Sequence, residues 1–197
     1  MQLARQGFTR ITMAVNHLSN LIMAYCGDGS RWGVRIDYSR EDGELSTIGP
    51  LTLIDDLPED FLVMNGDILT DLDYGKFLRE HIAGHRMISV SSYKREQKVD
   101  FGVLKYDTQN RLNGFQEKPV LSFDVSMGIY CINQKVIKAL PRGKAYGFDN
   151  LMKDSLVGGA LVTICPFNGF WLDIGRPDDY ENANENFSTI AATLGIQ

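Results

Sequence analysis

Phe61-Leu62-Val63-Met64-Asn65-Gly66-Asp67 is a run of four apolar residues followed by an amide, a glycine and a carboxylate. Four apolar residues without polar alternation fit a short strand buried on both faces, the pattern of a central parallel strand. Asn65-Gly66 supplies a tight turn, and Asp67 then stands just past the strand's C-terminal edge, where open α/β sheets bind their ligands. Outward from this point the chain alternates short β-branched runs with amphipathic segments, as α/β folds do. Strands are expected at residues 9–15, 34–38 and 87–93, with helices at 18–25 and 73–83. Further on, residues 101–106, 112–116 and 125–132 read as strands separated by turn chemistry such as Asp107-Thr108-Gln109-Asn110, so this half is expected to be antiparallel or mixed. A strand at 161–166 and a closing helix at 177–194 follow, with Pro177 at the first helical position and Asp178 and Asp179 in the first turn. The two halves are expected to share one sheet.

Residues 1–6 read as the end of a helix stopped by Gly7. An α/β domain normally opens with a strand and its crossover. A first βα unit, on the order of 30 to 40 residues, is therefore expected to be absent from this sequence, making 1–197 a single, N-terminally truncated domain. The neighbours of such a strand would have open edges, which predicts a homo-oligomer or a swapped assembly.

At 197 residues, 44% hydrophobic and 23% charged, the chain has enough apolar content for one substantial core. A net charge of −5 without any dense Lys/Arg stretch excludes a general nucleic-acid or anionic-membrane surface, because nothing would offset the phosphate charge. No apolar run is long enough to span a bilayer, and the first residues lack a signal-peptide core. Cys26, Cys131 and Cys165 are far apart with no CxxC spacing, and read as reduced, mostly buried thiols of a cytoplasmic protein. His81 and His85 lie near a helix end and read as surface residues.

Three stretches carry possible chemistry. Asp67 offers one carboxylate at a strand end, and the same residue could equally cap a helix. Gly169-Phe170-Trp171-Leu172-Asp173-Ile174-Gly175-Arg176-Pro177 delivers a second carboxylate, Asp173, just before a glycine and a helix start. Phe115-Gln116-Glu117-Lys118-Pro119 ends a strand with an acid and a base, and Pro119 is expected to hold Lys118 extended. An ammonium there could grip a phosphate and the acid could accept sugar hydroxyls, although an exposed charged strand end has the same pattern. Gly102 and Gly128 interrupt strands, marking either bulges or close backbone approach to a ligand.

Taken in order, NGD, FGV, FQEKP, SMGIY and GFWLDIGRP resemble the sugar-1-phosphate nucleotidyltransferase family over nearly the whole chain. The resemblance implies a Rossmann-like, GT-A-like mixed sheet flanked by helices. It also implies transfer of a nucleotidyl group from a nucleoside triphosphate to a sugar-1-phosphate, with Mg²⁺ as cofactor. On matching positions it implies that Asp67 and Asp173 hold the metal and Lys118 contacts the sugar phosphate. Glu117 would bind sugar hydroxyls, with Asn65, Gly66, Gly102, Ser126 and Gly128 around the sugar. Thr47 and Gly49, in Leu45-Ser46-Thr47-Ile48-Gly49-Pro50, fall where the family's LGTAG-type loop approaches the nucleotide. Ser46 replaces that loop's first glycine, and Gly43-Glu44 replaces its usual lead-in. The family's opening GGxGTRL loop has no counterpart here, so the 197-residue chain alone is expected to be nearly inactive. A non-catalytic relative that binds a sugar nucleotide or a partner subunit is the alternative. A metal-dependent glycosyltransferase fits less well, because EKP and WLDIGRP together point to nucleotidyl transfer.

Overall fold

The structure, a computed structural model, describes residues 2–41 and 43–195. It opens with α1 (Gln2–Arg5), β1 (Arg10–Val15), α2 (Ser19–Cys26) and β2 (Arg35–Arg40), then β3 (Asp60–Met64), β4 (Ile68–Thr70) and α3 (Tyr74–Ala83). It continues with β5 (Ile88–Lys98), β6 (Val103–Tyr106), β7 (Leu112–Gln116), β8 (Val120–Asn133), α4 (Gln134–Lys138), α5 (Phe148–Val157), β9 (Val162–Phe167), β10 (Trp171–Asp173), α6 (Pro177–Glu185) and α7 (Phe187–Thr193). Four strands form the main sheet in the order β3-β8-β5-β9, with β8 antiparallel to both neighbours and β9 parallel to β5. The expected mixed sheet flanked by helices is present. The two halves share this main sheet, as expected, since β3 and β5 come from the first and β8 and β9 from the second, while β1–β2, β4–β10 and β6–β7 form separate pairs.

The inner half of β8 is the centre of the core. Its side chains alternate between faces: Tyr130 and Ile132 pack with Phe61, Ile88, Val90, Ile48 and Leu151, while Met127, Ile129 and Cys131 pack with Ile68, Leu72, Tyr74 and Phe77. A third cluster joins Ala183, Ile190 and Leu194 of the last two helices to Leu69, Phe170, Leu172 and Ile174. That cluster fastens β4 and β10 to the body.

Residues 61–64 depart from expectation. They pair antiparallel with β8 rather than lying between parallel neighbours, and only Phe61 is fully buried. The bonds Asn65 N to Gly128 O and Gln134 N to Glu59 O turn odd-numbered residues toward β8, so Leu62 and Met64 present their backbone groups to the other edge. Likewise Arg35 N to Thr9 O and Glu41 N to Val15 O turn the odd-numbered residues of β1 toward β2, leaving Thr12 and Ala14 aimed away. A cleft of about 270 Å³, lined by Leu3, Ile11, Met13, Met64, Ile68 and Tyr74 among others, separates the two groups of strands. Arg10 bridges them with 2.6 Å contacts to Asp37 and Asp56. Gln6 ties α1 to α3, its Oε1 accepting from Tyr74 N at 2.7 Å and its Nε2 donating to Leu72 O at 3.2 Å.

Other expectations are corrected in detail. The closing helix is two helices that break at Asn186. Strands β5 and β8 run well beyond residues 93 and 125 as a long two-stranded arm. Lys118 is not extended; with φ 42° it takes a left-handed turn conformation that carries the chain from β7 into β8. Asp73, not Asp67, caps a helix, accepting from Lys76 N. Of the three free cysteines only Cys131 is fully buried. Among the described residues no helix is long and apolar enough to cross a membrane.

His81 is the sharpest correction. It is wholly buried, while His85 is exposed as expected. Its Nδ1 lies 2.8 Å from Ser89 Oγ, and its Nε2 lies 3.3 Å from Asp60 Oδ1 without hydrogen-bond alignment. Asp60 is itself occupied, accepting from Asn133 Nδ2 at 2.7 Å. Burial pushes the imidazole below its ordinary value of 6.5, Asp60 opposes that shift and Arg86 adds to it. The folded state therefore favours neutral His81, and its contribution is fully present above pH 6.5 and lost as pH falls toward the folded value. Urea midpoints measured between pH 7.5 and 5.5 should fall with acidification in the native protein, and this slope should flatten in His81→Gln.

Candidate functional site

The carboxylates expected to act together do meet. Antiparallel pairing sets Asp173 of β10 beside Ile68 of β4, and Ile174 N continues the ladder by donating to Asp67 O at 2.9 Å. The position a Gly175 Cβ would occupy is 2.8 Å from Asp67 Oδ2 and 3.1 Å from Asp173 Oδ1, so both oxygens flank one point. Only glycine leaves that space open. Asp173 Oδ1 accepts from Gly175 N at 2.9 Å, which fixes its orientation. Asp67 Oδ1 is buried and has no hydrogen-bond partner. An unpartnered buried acceptor costs about 1–3 kcal/mol, more for a charged group, so this oxygen has a place for a cation or donor.

A divalent cation fits this donor set. Among the described residues no group of three His, Cys, Asp or Glu side chains converges. Two carboxylates alone are too few for an all-protein cage, but they suffice for a hard cation that takes its other oxygens from phosphate and water.

Around the pair, the end of β3 is locked to the middle of β8. Asn65 N donates to Gly128 O at 2.9 Å, and Gly128, at φ 74°, sits so close that a Cβ would be 2.9 Å from Asn65 Nδ2. The pairing of β8 with β5 shifts register at this point, between the Val90–Tyr130 and Ser92–Ser126 partners. Ser126 Oγ accepts from Gly128 N and donates to the Tyr130 hydroxyl, each at 3.2 Å. Asn65, Gly66, Asp67, Ser126, Gly128 and Asp173 thus form one neighbourhood. Gly66 is exposed, with open space where a Cβ would go.

Trp171 and Arg95 were not identified from sequence. Trp171 shares a strand face with Asp173, two residues away. It donates Nε1–H to Met127 O at 3.1 Å, packs 5.2 Å from the Tyr93 ring and carries the Arg95 guanidinium 5.6 Å above its own. The only sequence signal was the period-two spacing within WLD.

The remaining expected residues lie elsewhere. Gly102 and Glu117 are adjacent, since a Gly102 Cβ would meet Glu117 Oε2 at 3.2 Å, and Lys118 follows at the turn. From Ser126 to Val120 the strand covers six steps, about 20 Å, so Glu117, Lys118 and Gly102 stand at the far end of the arm from Asp67. Thr47 and Gly49 are committed to packing. Thr47 Oγ1 accepts from Phe148 N at 2.9 Å at the start of α5, while Gly49 is buried, its N bonded to Tyr146 O and its O to Thr52 Oγ1. Ser46 has φ 62°, which explains why a glycine would suit that position.

A model of the nucleotidyl transferase family matches residues 1–189. The chain is 32% identical over 204 residues to a UTP–glucose-1-phosphate uridylyltransferase of Synechocystis sp., covering 93% of this chain and 53% of that protein. It is 27% identical over 185 residues to the mannose-1-phosphate guanylyltransferase catalytic subunit beta of Dictyostelium discoideum, covering 90% and 51%. The chain spans about half the length of these curated relatives. The crystal structure of HddC from Yersinia pseudotuberculosis shares the fold, with a TM-score of 0.70 at 24% identity over 94% of this chain and 82% of that one.

Gly128 in β8 and Gly66 in the turn should respond differently to substitution. Gly128→Ala forces a side chain into a left-handed backbone against Asn65 and should lower unfolding free energy by about 2 kcal/mol. Gly66→Ala should change it by no more than about 0.5 kcal/mol, with urea denaturation as the common measurement.

Proposed function

The chain belongs to the nucleotidyl transferase family, and we propose that it serves the transfer of a nucleotidyl group from a nucleoside triphosphate to a hexose-1-phosphate. The observation that supports this most is the meeting of Asp67 and Asp173 at the space kept open by Gly175. In the reaction a phosphate oxygen of the sugar-1-phosphate forms a bond to the α-phosphorus while the bond from that phosphorus to the bridging oxygen of the β-phosphate breaks. The products are a nucleotide sugar and pyrophosphate. The attacking oxygen is already anionic, so no general base is required of the protein.

Asp67 and Asp173 would hold Mg²⁺, which when bound would neutralise triphosphate charge and polarise the α-phosphoryl group. The residues' own work is positional. Gly175 N orients Asp173, the Asn65–Gly128 lock sets the turn that carries Asp67, and Gly175 leaves room for oxygen ligands. Lys118 would neutralise the sugar phosphate and Glu117 would accept its hydroxyls, which requires the arm to approach the carboxylates. Three free thiols suit the reducing cytoplasm, where we place the protein.

The separation of Lys118 from Asp67 favours a second reading, binding of a sugar nucleotide or a partner subunit without turnover. Pyrophosphate release, measured for four triphosphates against glucose- and mannose-1-phosphate with Mg²⁺, separates the two. The 197-residue chain alone is expected to release little, whereas with a family-type N-terminal segment restored turnover is expected with at least one pair, and there Asp67→Asn or Asp173→Asn should reduce kcat/KM by about 100-fold or more, roughly 3 kcal/mol. Lys118→Ala should raise KM for the sugar phosphate about tenfold if the arm closes. No release from any pair by the protein with that segment restored would sink the catalytic reading. Independently of turnover, Mg²⁺ at 100 times its Kd should stabilise the native protein by about 2.7 kcal/mol and Asp67→Asn much less, read as a thermal shift. An absent shift would sink the metal assignment.

A further inference from the structure

Trp171 and Asp173 lie on one face of the three-residue strand β10. The indole N–H of Trp171 is committed to Met127 O at 3.1 Å, and its ring is used by two residues of β5. Tyr93 lies 5.2 Å from it at a tilt of 40°, and the Arg95 guanidinium carbon lies 5.6 Å from its centre. That is inside the roughly 6 Å over which an indole face attracts a cation. Arg95 is exposed, and among the described residues no carboxylate lies in salt-bridge range of it and no acceptor takes its N–H groups. Arg10, Arg35 and Arg142, by contrast, are each paired with an aspartate. The face of the arm that carries Arg95 does not offset its charge: alternation puts Tyr93 and Gln97 beside it on β5, and Phe123 stands opposite it on β8. The acids of this stretch, Glu96 and Asp124, fall on the other face with Lys94.

We propose that Arg95 binds a phosphate group of the ligand taken up at Asp67 and Asp173, with Trp171 as the positioning residue that holds the guanidinium there. A guanidinium stacked on a ring has lost much of the freedom of a long side chain, and its planar fork matches two oxygens of one phosphate. Two steps along β10 cover about 7 Å and the stack adds 5.6 Å, which sets the guanidinium on the order of 10 Å from the Asp173 carboxylate. A cation held by the two carboxylates, at about 2 Å from each oxygen ligand, would carry a phosphate into that gap. The inference rests on the nucleotidyl-transfer reading in needing a metal at the carboxylates and a phosphorylated ligand. It adds a cation beside β10 to Lys118, which stands at the far end of the arm. The phosphate has two possible sources, the triphosphate and the sugar-1-phosphate, and both present the same oxygens to the fork.

Calorimetric titration of the native chain in Mg²⁺, with inorganic pyrophosphate and separately with glucose-1-phosphate, tests this. Arg95→Ala should weaken at least one of the two about tenfold, while the thermal shift with Mg²⁺ alone stays as in the native protein. A loss confined to pyrophosphate assigns Arg95 to the triphosphate, and one confined to glucose-1-phosphate assigns it to the sugar phosphate. Lys94→Ala removes the same charge from the opposite face and should change neither affinity by more than about twofold. In a Trp171→Leu background Arg95→Ala should cost little more, because the ring acts through the guanidinium. Unchanged affinity of Arg95→Ala for both anions overturns the proposal, and so does an equal loss in Lys94→Ala, which would mark general charge attraction. Full additivity in the Trp171→Leu background overturns the role given to the ring. A native chain that binds Mg²⁺ but neither anion overturns the proposal and leaves the metal assignment standing. One that binds no Mg²⁺ removes that assignment and the proposal together.

Discussion

Strand β8 is the constraint on which the other elements depend. Its inner half pairs with β3 on one side and β5 on the other, and its alternating side chains serve two separate hydrophobic clusters. Met127, Ile129, Cys131 and Ile132 have no measurable exposure. Shifting this strand by one residue would exchange the two cores, so its register is strongly specified. That register places Gly128 against Asn65, and Asn65 is two residues from Asp67. The site geometry is thus a consequence of core packing, transmitted through a strand end and a turn.

The second carboxylate arrives by a different route. Strand β10 has three residues and would not persist alone. It is held from below, where Leu172 and Ile174 pack with Ala183, Ile190 and Leu194, and from above by the Trp171 bond to Met127 O. The last two helices therefore act on the site indirectly, by pressing Asp173 toward Asp67. Two carboxylates brought this close oppose folding through mutual repulsion, and an orphaned oxygen adds to that cost. Such an arrangement is maintained by surrounding packing, as expected where a fold holds residues for a ligand rather than for its own stability.

The parts legible in sequence were those written in short-range chemistry. The apolar run ending in Asn65-Gly66-Asp67, Pro177 opening a helix and the change to antiparallel strands after residue 100 all appear in the structure. What could not be read depends on partners distant in the chain. His81 looks like any polar residue near a helix end, and only Ser89 and Asp60 make its burial tolerable. Antiparallel pairing of residues 61–64 is a property of β8, about 70 residues later. Lys118 is left-handed because the chain must turn from β7 into β8 with Pro119 O bonded to Val99 N, a demand that outweighs the local preference set by the proline. The commitment of Gly49 to Tyr146 and Thr52 is likewise a tertiary fact.

The division of charge between the body and the arm follows from the same geometry. The body presents Asp67 and Asp173, while the arm carries Arg95, then Lys118 and Glu117 farther out. Anionic substrates need both signs: carboxylates can hold phosphates only through a cation, and ammonium or guanidinium groups can hold them directly. Arg95, stacked over Trp171, stands between these two regions and already touches the strand that bears Asp173. Its stacking on Trp171 ties it to the short strand that also carries Asp173.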